Sequence, residues 1–412
     1  MTPHVLIIGA GLSGLNCALE LQKKDIPFTI LDSSDAVGGR IRTDNIDGFR
    51  LDRGFQIFLT AYPEARAVLD YDELNLHSFR PGAMVRLNGK FRLLSDPLRR
   101  PQDVFSTLFS GVGTLRDKLK VAMMRRTQDG SMSTGPETSI MEKLQTTWGF
   151  SAGMIDSFFK PFLGGITLDE NLGTSSRFFD FVMGMFTKGK ASFPAGGMQA
   201  IPEQMAAKLP AESIILKARV TAINGSHEVI LEDGRRFEGS HVVLATGMTD
   251  ALALDPGATE RTWNGTTCHY FAADAAPFNE PVLLLNGEPG RSSGSINSIV
   301  VPSNVAPGYA PKGQHLICLS SIGVDESDAS KHRERVLTEA ASWFGDEVST
   351  WRHLQTYRIT HALPRMDTLP DSPPIRVLDS GIIQCGDHLS TSSINGALAS
   401  GRHAADHLQQ TL

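Results

Sequence analysis

The stretch HVLIIGAGLSGLNCALELQ, residues 4–22, decides the fold of the N-terminal part of this 412-residue chain. Residues 4–8 predict a strand, and the continuous apolar run from Val5 to Ile8 is typical of a strand buried on both faces. Gly9, Gly11 and Gly14 follow with the spacing G-x-G-x-x-G and lead into a helical pattern. The first glycine permits a tight turn, the second lets the backbone approach a pyrophosphate, and the third lets the helix pack on the strand. The stretch therefore predicts a dinucleotide-binding turn.

The residues just beyond this helix support the same interpretation. Asp32 follows a second apolar strand, residues 28–31, where a carboxylate can accept hydrogen bonds from ribose hydroxyls. Gly38 and Gly39 again permit a close backbone approach, and Arg40 supplies a positive charge for a phosphate. Strand, helix, strand and acid fall in register, which favours a parallel sheet with a right-handed crossover over an ordinary surface turn.

Composition and charge exclude several classes of protein. Hydrophobic residues make up 41% of the chain, and 39 basic residues against 45 acidic ones give a net charge of −6. This composition excludes a disordered chain and a globally basic nucleic-acid-binding protein. The four cysteines are too widely spaced for a disulfide framework or a CxxC metal site, so we predict no metal ion. We find no signal peptide and no membrane-spanning apolar run, and we expect a cytoplasmic protein.

The remaining chain suggests two interleaved domains in an α/β fold. Long helical patterns occupy the second quarter of the sequence, whereas alternating strand patterns return in the middle and near the end. We predict a nucleotide-binding domain formed by residues 1–60, 195–255 and 370–412. We predict an α+β substrate domain formed by residues 61–194 and 256–369.

Five motifs together resemble one family. They are GAGLSGL (9–15), GGRIRT (38–43), LDRGFQIF (51–58), VVLATG (242–247), and CGD with INGALASG (385–401). In these motifs the chain resembles the flavin-containing amine oxidoreductases, which include monoamine and polyamine oxidases, protoporphyrinogen oxidases and phytoene-type carotenoid desaturases. The resemblance implies a Rossmann-like FAD-binding domain, with FAD bound in an extended form.

The resemblance also implies which residues contact FAD. The glycine turn and Arg40 would lie on the pyrophosphate, and Asp32 would lie on the adenosine ribose, where most family members have glutamate. The start of the last helix would direct its positive end at the flavin and stabilise negative charge on the reduced ring. The full implied set is Gly9, Gly11, Gly14, Asp32, Gly38, Gly39, Arg40, Gly54, Phe55, Val220, Thr246, Gly247, Gly386, Asp387, Ser393, Ile394, Asn395 and Ala397.

Two departures from the family pattern bear on the substrate. The amine oxidases have a lysine where this chain has Thr267, and an aromatic cage residue where it has Ser393. Without an aromatic cage, an amine loses a surface that steers its cationic nitrogen. SINGALASG resembles the carotenoid desaturase ending, and THALPR (360–365) resembles desaturases and protoporphyrinogen oxidases. We therefore expect hydride removal from a lipophilic, carotenoid-like or isoprenoid-like substrate. The alternatives are a protoporphyrinogen-like substrate, an amine substrate, and a flavin-bound binding or assembly factor without turnover.

His361 is the one candidate catalytic residue. It falls within THALPR, and histidine can move a proton near neutral pH. The alternative is a histidine that is hydrogen-bonded in a domain junction. The chain has no second glycine-rich fingerprint for a nicotinamide cofactor, so we expect oxygen or a quinone-like molecule to be the electron acceptor.

Basic residues are concentrated in one segment. From Arg80 to Arg126 we count eleven basic and three acidic residues, a net charge of +8 that leaves −14 for the rest of the chain. Residues 103–126 predict an amphipathic helix, and we expect a peripheral membrane contact through it. The alternative is a helix whose apolar face covers the substrate domain. That predicted face comprises Phe105, Leu108, Phe109, Val112, Leu115 and Leu119.

Overall fold

The computed structural model describes residues 4–95, 99–100, 102, 107–108, 110–128, 130, 137–225, 227–290, 295–325, 328–370 and 374–411. Among these residues the strands are β1 Val5–Ile8, β2 Phe28–Leu31, β3 Thr43–Ile46, β4 Phe49–Asp52, β5 Phe58–Leu59, β6 Leu76–Ser78, β7 Gly82–Leu87, β8 Lys90–Ser95, β9 Ala191–Pro194, β10 Ile214–Ile215, β11 Val220–Asn224, β12 Glu228–Leu231, β13 Arg236–Glu238, β14 His241–Leu244, β15 Trp263–Ala273, β16 Leu283–Asn286, β17 Ser298–Val300, β18 His315–Ile322, β19 Arg352–Pro364, β20 Ile375–Val377 and β21 Ile383–Cys385.

The helices lie between these strands and at the C-terminal end. They are α1 Leu12–Gln22, α2 Pro63–Val68, α3 Leu115–Thr127, α4 Ile140–Glu142, α5 Ala152–Met154, α6 Lys160–Thr167, α7 Ser176–Lys188, α8 Ala200–Ala206, α9 Met248–Leu254, α10 Pro302–Val305, α11 Ala329–Phe344 and α12 Ile394–Thr411. Two π-helical segments, Lys143–Thr147 and Ile155–Phe159, extend α4 and α5.

A six-stranded sheet combines distant parts of the chain in the order β10-β2-β1-β14-β21-β20. The first five strands run parallel, and β20 is antiparallel to β21. All four residues of β1 are buried, as its uninterrupted apolar sequence predicts. The predicted α/β fold with a parallel sheet is therefore confirmed, whereas the domain boundaries stay a prediction.

Helices α1 and α12 pack together against this sheet. A Cβ atom at Gly401 would lie 2.1 Å from the Ser13 carbonyl oxygen, so only glycine permits this close approach. The Asn16 side chain donates a 2.7 Å hydrogen bond to the Leu398 carbonyl. The N-terminal and C-terminal ends of the described chain are thus joined in one core.

The second large sheet has seven strands in the order β19-β15-β18-β17-β16-β7-β8. Its neighbouring strands are antiparallel except for β16 and β7, which run parallel. Helices α3 to α7 contribute to a second apolar cluster beside it, together with β7, β8 and β16. This sheet and its helices provide one wall of the cavity described below.

Asp52 connects the β3–β4 hairpin to neighbouring elements through a buried carboxyl group. Oδ1 accepts hydrogen bonds from the Thr43 hydroxyl at 2.6 Å and the Met198 amide at 2.9 Å. Oδ2 accepts a 2.9 Å bond from the Tyr309 hydroxyl. Burial raises the pKa of Asp52 to about 6, although these hydrogen bonds act to lower it.

The basic segment does not fold as predicted. Helix α3 begins at Leu115 rather than at residue 103, because Gly111 and Gly113 have positive φ angles of 74° and 63° and Thr114 caps the helix. Val112 is buried, whereas Leu115 is exposed, so the predicted single apolar face is wrong. Phe105 and Phe109 of that face lie outside the described residues.

Candidate functional site

One continuous cavity of about 1320 Å³ extends from the glycine turn to the helices beside the seven-stranded sheet. Residues of the six-stranded sheet's loops, the 38–57 segment and the start of α12 line what we call the cofactor half. Residues of α3, the π-helical segment 155–159, α6, α7 and the large sheet line what we call the substrate half.

The three glycines of the first turn differ in their surroundings. Gly9 has a φ of +109°, and a Cβ atom there would lie 2.8 Å from the Ala245 carbonyl oxygen of the neighbouring chain segment. A Cβ atom at Gly14 would lie 2.0 Å from the Gly9 carbonyl oxygen, so Gly14 serves helix packing and does not line the cavity. A Cβ atom at Gly11 would meet nothing within 4 Å, so Gly11 leaves the cavity open.

Asp32 orders the backbone around this turn. Its carboxylate accepts a 2.6 Å hydrogen bond from the Ala10 amide and a 2.7 Å bond from the Ser34 amide. The side chain also lines the cavity at the end of β2. Asp32 thus presents a carboxylate to the cavity while it fixes the glycine turn.

Arg40 lies across the cofactor half from this turn. Its Nη2 is 2.5 Å from Oδ1 of the buried Asp387, and Nη1 donates a 3.1 Å hydrogen bond to the Ala362 carbonyl. The guanidinium also lies over the Trp263 ring, 5.5 Å from the ring centroid. The sequence predicts Arg40 and Asp387 as separate cofactor contacts, and the structure brings them together as an ion pair.

His361 lines the cavity beside this pair. Its ring centroid is 5.1 Å from that of Trp263, on the strand neighbouring its own. The residue is exposed. Its role in proton transfer stays a prediction.

Most of the other predicted cofactor residues also line the cavity. They are Gly38, Gly39, Gly54, Phe55, Val220, Thr246, Gly247, Gly386, Ser393, Ile394 and Ala397. Ser393 accepts a 3.0 Å hydrogen bond from the Gly396 amide and so caps α12, which begins at Ile394. Asn395 points elsewhere, because its Oδ1 accepts a 3.0 Å bond from the Glu64 amide.

These residues fit an extended dinucleotide. Besides the open space at Gly11, a Cβ atom at Gly39 would meet only the Gly11 Cα, at 3.4 Å. The two glycine-rich segments therefore pack against each other, and the open space beside Gly11 forms a channel that a side chain would fill. Such a channel permits the backbone to approach a pyrophosphate, and Asp32 and Arg40 line the same half of the cavity.

The substrate half has an apolar wall rich in phenylalanine. These side chains come from the 155–159 segment, α6 and α7. Phe158 and Phe162 stack with centroids 5.4 Å apart, and Phe162 contacts Phe186 at the same distance. The phenylalanines of the wall are Phe158, Phe159, Phe162, Phe178 and Phe186.

A polar strip on the large sheet also lines the cavity, and sequence reasoning missed it. Asn297, Ser298, Ser320 and Ser321 line the cavity there. The hydroxyl groups of Ser298 and Ser320 are 2.7 Å apart. These residues are close because β17 and β18 are paired, which no contiguous motif indicates.

Thr267 lies on β15 but is not among the residues that line the cavity. Trp263 and Thr266 of this strand do line it. The Thr267 hydroxyl donates a 3.1 Å hydrogen bond to the Gly323 carbonyl. The correspondence of Thr267 to the lysine of the amine oxidases stays a prediction, and neither Thr266 nor Thr267 is a lysine.

Comparisons with known proteins agree with this geometry. A model of the family described as flavin containing amine oxidoreductase matches residues 12–409. The chain is 25% identical to coproporphyrinogen III oxidase of Propionibacterium freudenreichii subsp. freudenreichii over 40% of this chain and 31% of that enzyme. It is 25% identical to phytoene dehydrogenase of Streptomyces griseus over 76% of this chain and 71% of that enzyme.

A crystal structure of an oxidoreductase from Methanosarcina mazei has the same fold. It superposes with a TM-score of 0.75 over 98% of this chain and 100% of that chain, at 18% sequence identity. The chain spans only about a third of the length of the coproporphyrinogen oxidase that it matches. The family match, by contrast, covers nearly the whole chain. The chain therefore belongs to the flavin-containing amine oxidoreductase family, which confirms the predictions of an oxidoreductase and of FAD as its cofactor.

Proposed function

We propose that this flavoenzyme removes a hydride from a lipophilic substrate. The observation that carries the proposal is the continuity of one cavity, in which an apolar, phenylalanine-rich half joins the glycine-lined cofactor half. When bound, the flavin accepts a hydride without requiring a protein acid or base. The protein's own task is therefore to bind the substrate, orient a C–H bond and exclude water.

Two candidate substrate classes follow from the substrate half. The apolar wall supports a carotenoid or isoprenoid desaturase-like reaction, and one relative is a phytoene dehydrogenase. Basic side chains also line this half, among them Lys118, Arg125 and Lys190. They support a porphyrinogen oxidase-like reaction, because porphyrinogens carry carboxylates. Another relative is a coproporphyrinogen III oxidase. An amine substrate is less well supported, since Ser393 lines the cavity where the amine oxidases have an aromatic residue, and Thr267 stands where they have a lysine.

The surface of α3 supports a route for lipophilic molecules from a membrane. Leu115, Leu119 and Met123 recur every four residues and are 61%, 67% and 60% exposed. Arg116 and Arg126 are exposed on the same helix. Leu119 also lines the cavity, so the opening of the cavity lies beside this apolar stripe. We therefore propose peripheral contact with an anionic membrane through α3.

Among the described residues we find no helix with the length and hydropathy needed to cross a bilayer. The proposed contact is peripheral and does not depend on such a helix. Oxygen or a quinone-like molecule remains our proposed electron acceptor, and a lipid-soluble quinone would be available at the same surface.

The decisive experiment is anaerobic reduction of the purified, FAD-loaded protein. Phytoene in detergent, coproporphyrinogen III and putrescine are mixed with the protein in turn, and bleaching of the oxidised flavin absorbance is followed. We expect bleaching by one of the first two and none by putrescine. Rapid bleaching by putrescine would contradict the proposal, and a flavin that only dithionite reduces would favour a binding or assembly factor.

A further inference from the structure

The polar strip of the large sheet is connected to α6 by the Asn297 side chain. Its Nδ2 donates a 3.0 Å hydrogen bond to the carbonyl of Pro161, which belongs to α6 and also lines the cavity. A Cβ atom at Gly165, one turn farther along α6, would lie only 2.9 Å from Nδ2, so glycine leaves room for this amide. Asn297 is 5% exposed. The side chain is therefore held in one orientation between the sheet and the helix.

This orientation leaves the amide oxygen of Asn297 available as an acceptor. A carbonyl accepts hydrogen bonds and cannot donate them, so the Pro161 carbonyl must face the amide nitrogen and not the amide oxygen. Among the residues that the structure describes, none donates a hydrogen bond to Oδ1. A buried acceptor without a partner is unfavourable. Because Asn297 lines the cavity, a bound ligand can supply the missing donor.

The two serines that face each other in the strip use their own protons. Ser298 and Ser320 are paired across β17 and β18, and their hydroxyl oxygens are 2.7 Å apart. The Ser320 hydroxyl donates a 3.3 Å bond to the Ser298 carbonyl, so the Ser298 hydroxyl donates to Ser320. A hydroxyl group has one proton and two lone pairs. With both protons used inside the pair, its remaining capacity is to accept hydrogen bonds.

Thr266 on the neighbouring strand β15 has the same property. Its hydroxyl donates a 2.9 Å bond to the Ser321 carbonyl, and the residue lines the cavity. Asn297, Ser298, Ser320 and Thr266 are all more than nine-tenths buried. Their side-chain hydrogen bonds to the protein use the hydroxyl protons and orient the amide. These four side chains therefore present oxygen acceptors to a ligand in an otherwise apolar half of the cavity.

From this pattern we infer that the substrate is an apolar molecule with a neutral N–H or O–H group, which donates a hydrogen bond to the acceptors of the polar strip, first among them Asn297 Oδ1. The inference rests on the proposed function and narrows its substrate class. A hydrocarbon polyene would cover these acceptors without offering a proton, which is unfavourable for buried polar groups. A donor group would satisfy them and fix the orientation of the apolar part.

The test compares two pairs of ligands that have nearly the same shape. 2-Phenylindole has an N–H group where 2-phenylbenzofuran has an oxygen atom, and 4-phenylphenol has an O–H group that biphenyl lacks. The FAD-loaded protein is titrated into a dilute solution of each ligand in a calorimeter. We expect the donor of at least one pair to bind about fivefold more tightly than its partner, as one hydrogen bond predicts. The two ratios distinguish an N–H group from an O–H group.

Two variants locate the effect. Asn297→Leu removes the acceptor with little change in volume, and we expect it to abolish the preference for the donor ligand while the affinity for the ligand without a donor stays the same. Thr187→Val is the matched control, because Thr187 lines the cavity on α7 but its hydroxyl donates to the Met183 carbonyl of the same helix. We expect the preference to persist in this control. FAD content and melting temperature are measured for both, and Ser298→Ala, with a partial loss of the preference, replaces Asn297→Leu if that variant does not fold.

Equal affinities within both pairs of ligands in the native protein would overturn the inference. Such a result would leave the apolar cavity and the proposed hydride removal intact, and it would favour a hydrocarbon substrate. If none of the four ligands binds, the substrate half does not accept lipophilic molecules, and the proposed function fails together with the inference. Equal losses of the preference in Asn297→Leu and Thr187→Val would overturn the assignment to the polar strip.

Discussion

The two halves of the cavity recognise their ligands in different ways. The cofactor half is built largely from backbone: Gly11 and Gly39 pack together with open space beside Gly11, and Asp32 is fixed by the Ala10 and Ser34 amides. The substrate half is built from side chains on elements far apart in sequence, such as α3, α7 and β18. Backbone recognition requires glycines at fixed spacings, whereas a side-chain wall tolerates many sequences of similar volume.

The largest effect on stability is expected at Gly14, the glycine of the turn that serves helix packing rather than cofactor binding. Gly14→Ala should destabilise the protein by about 3 kcal/mol or more, since its Cβ would overlap the Gly9 carbonyl and overpacking costs this much in tight sites. Gly11→Ala should leave the apoprotein's free energy of unfolding nearly unchanged but weaken FAD binding, because its Cβ would occupy the open channel. Urea unfolding of the apoproteins and FAD titration separate the two effects.

The comparison of Gly14→Ala with Gly11→Ala is informative because alanine is a better helix former than glycine. Gly14 is within α1, where alanine alone would stabilise by about 1 kcal/mol. If Gly14→Ala were as stable as the native protein, the close contact between helix and turn would be refuted. If Gly11→Ala bound FAD normally, the channel beside Gly11 would not be the pyrophosphate site.

A smaller effect is expected from the Asp52 carboxyl, which lies beside the cavity-lining Arg53 but points into the core. Its pKa of about 6 in the folded state exceeds the unfolded value of about 4. The folded state therefore binds the proton more tightly, and this group's contribution to stability falls as pH rises from 4 to 6. Over that window the loss should be about 2 to 3 kcal/mol.

Asp52→Asn removes the titration while keeping an oxygen for the Thr43 and Met198 bonds. The free energy of unfolding is measured in urea at pH 4, 5, 6 and 7 for both proteins. We expect the stability of the native protein relative to Asp52→Asn to decline over this range. Parallel pH profiles would show that burial does not perturb Asp52.

The difference between the two halves also explains which features of the molecule could be predicted from the sequence. The fold of the six-stranded sheet, FAD and most cofactor residues follow from short motifs in which neighbours in sequence act together. Arg40 and Asp387 are an exception, because their ion pair joins segments 347 residues apart. The polar strip and Lys190 were missed because distant segments bring them to the cavity. The strip depends on the pairing of β17 with β18, and Lys190 depends on where α7 ends.

The wrong start of the predicted basic helix had a local cause. The start of α3 had a readable signal: Thr114 and Asp117 form a capping box, in which each side chain accepts from the other's backbone amide. The apolar residues before Thr114 suggested a longer helix, but Gly111 and Gly113 interrupt it.

Helix α3 allows a further comparison, between the residues that line the cavity and those exposed on the surface. Lys118 and Arg125 line the cavity, and Leu119 lies at its opening. Leu115 and Met123 are exposed on the same helix as Arg116 and Arg126 and do not line the cavity. If the exposed residues contact an anionic membrane, their charges should act on lipid binding and leave the affinity for a cavity ligand unchanged.

The smallest predicted effect is therefore measured by sedimentation with liposomes. Arg116→Gln with Arg126→Gln should weaken binding to anionic vesicles by about 2 kcal/mol, since each basic residue near such a surface contributes about 1 kcal/mol. Arg235→Gln with Arg236→Gln changes two cations of the β12–β13 hairpin that are at least half exposed and should have little effect. Binding should also weaken with salt, because an ionic strength of 0.1 M screens charges beyond about 10 Å. Two results would contradict a membrane contact through α3: native protein that stays in the supernatant at low salt, or equal losses of binding in the two variants. Neither result would affect the cavity or its proposed chemistry.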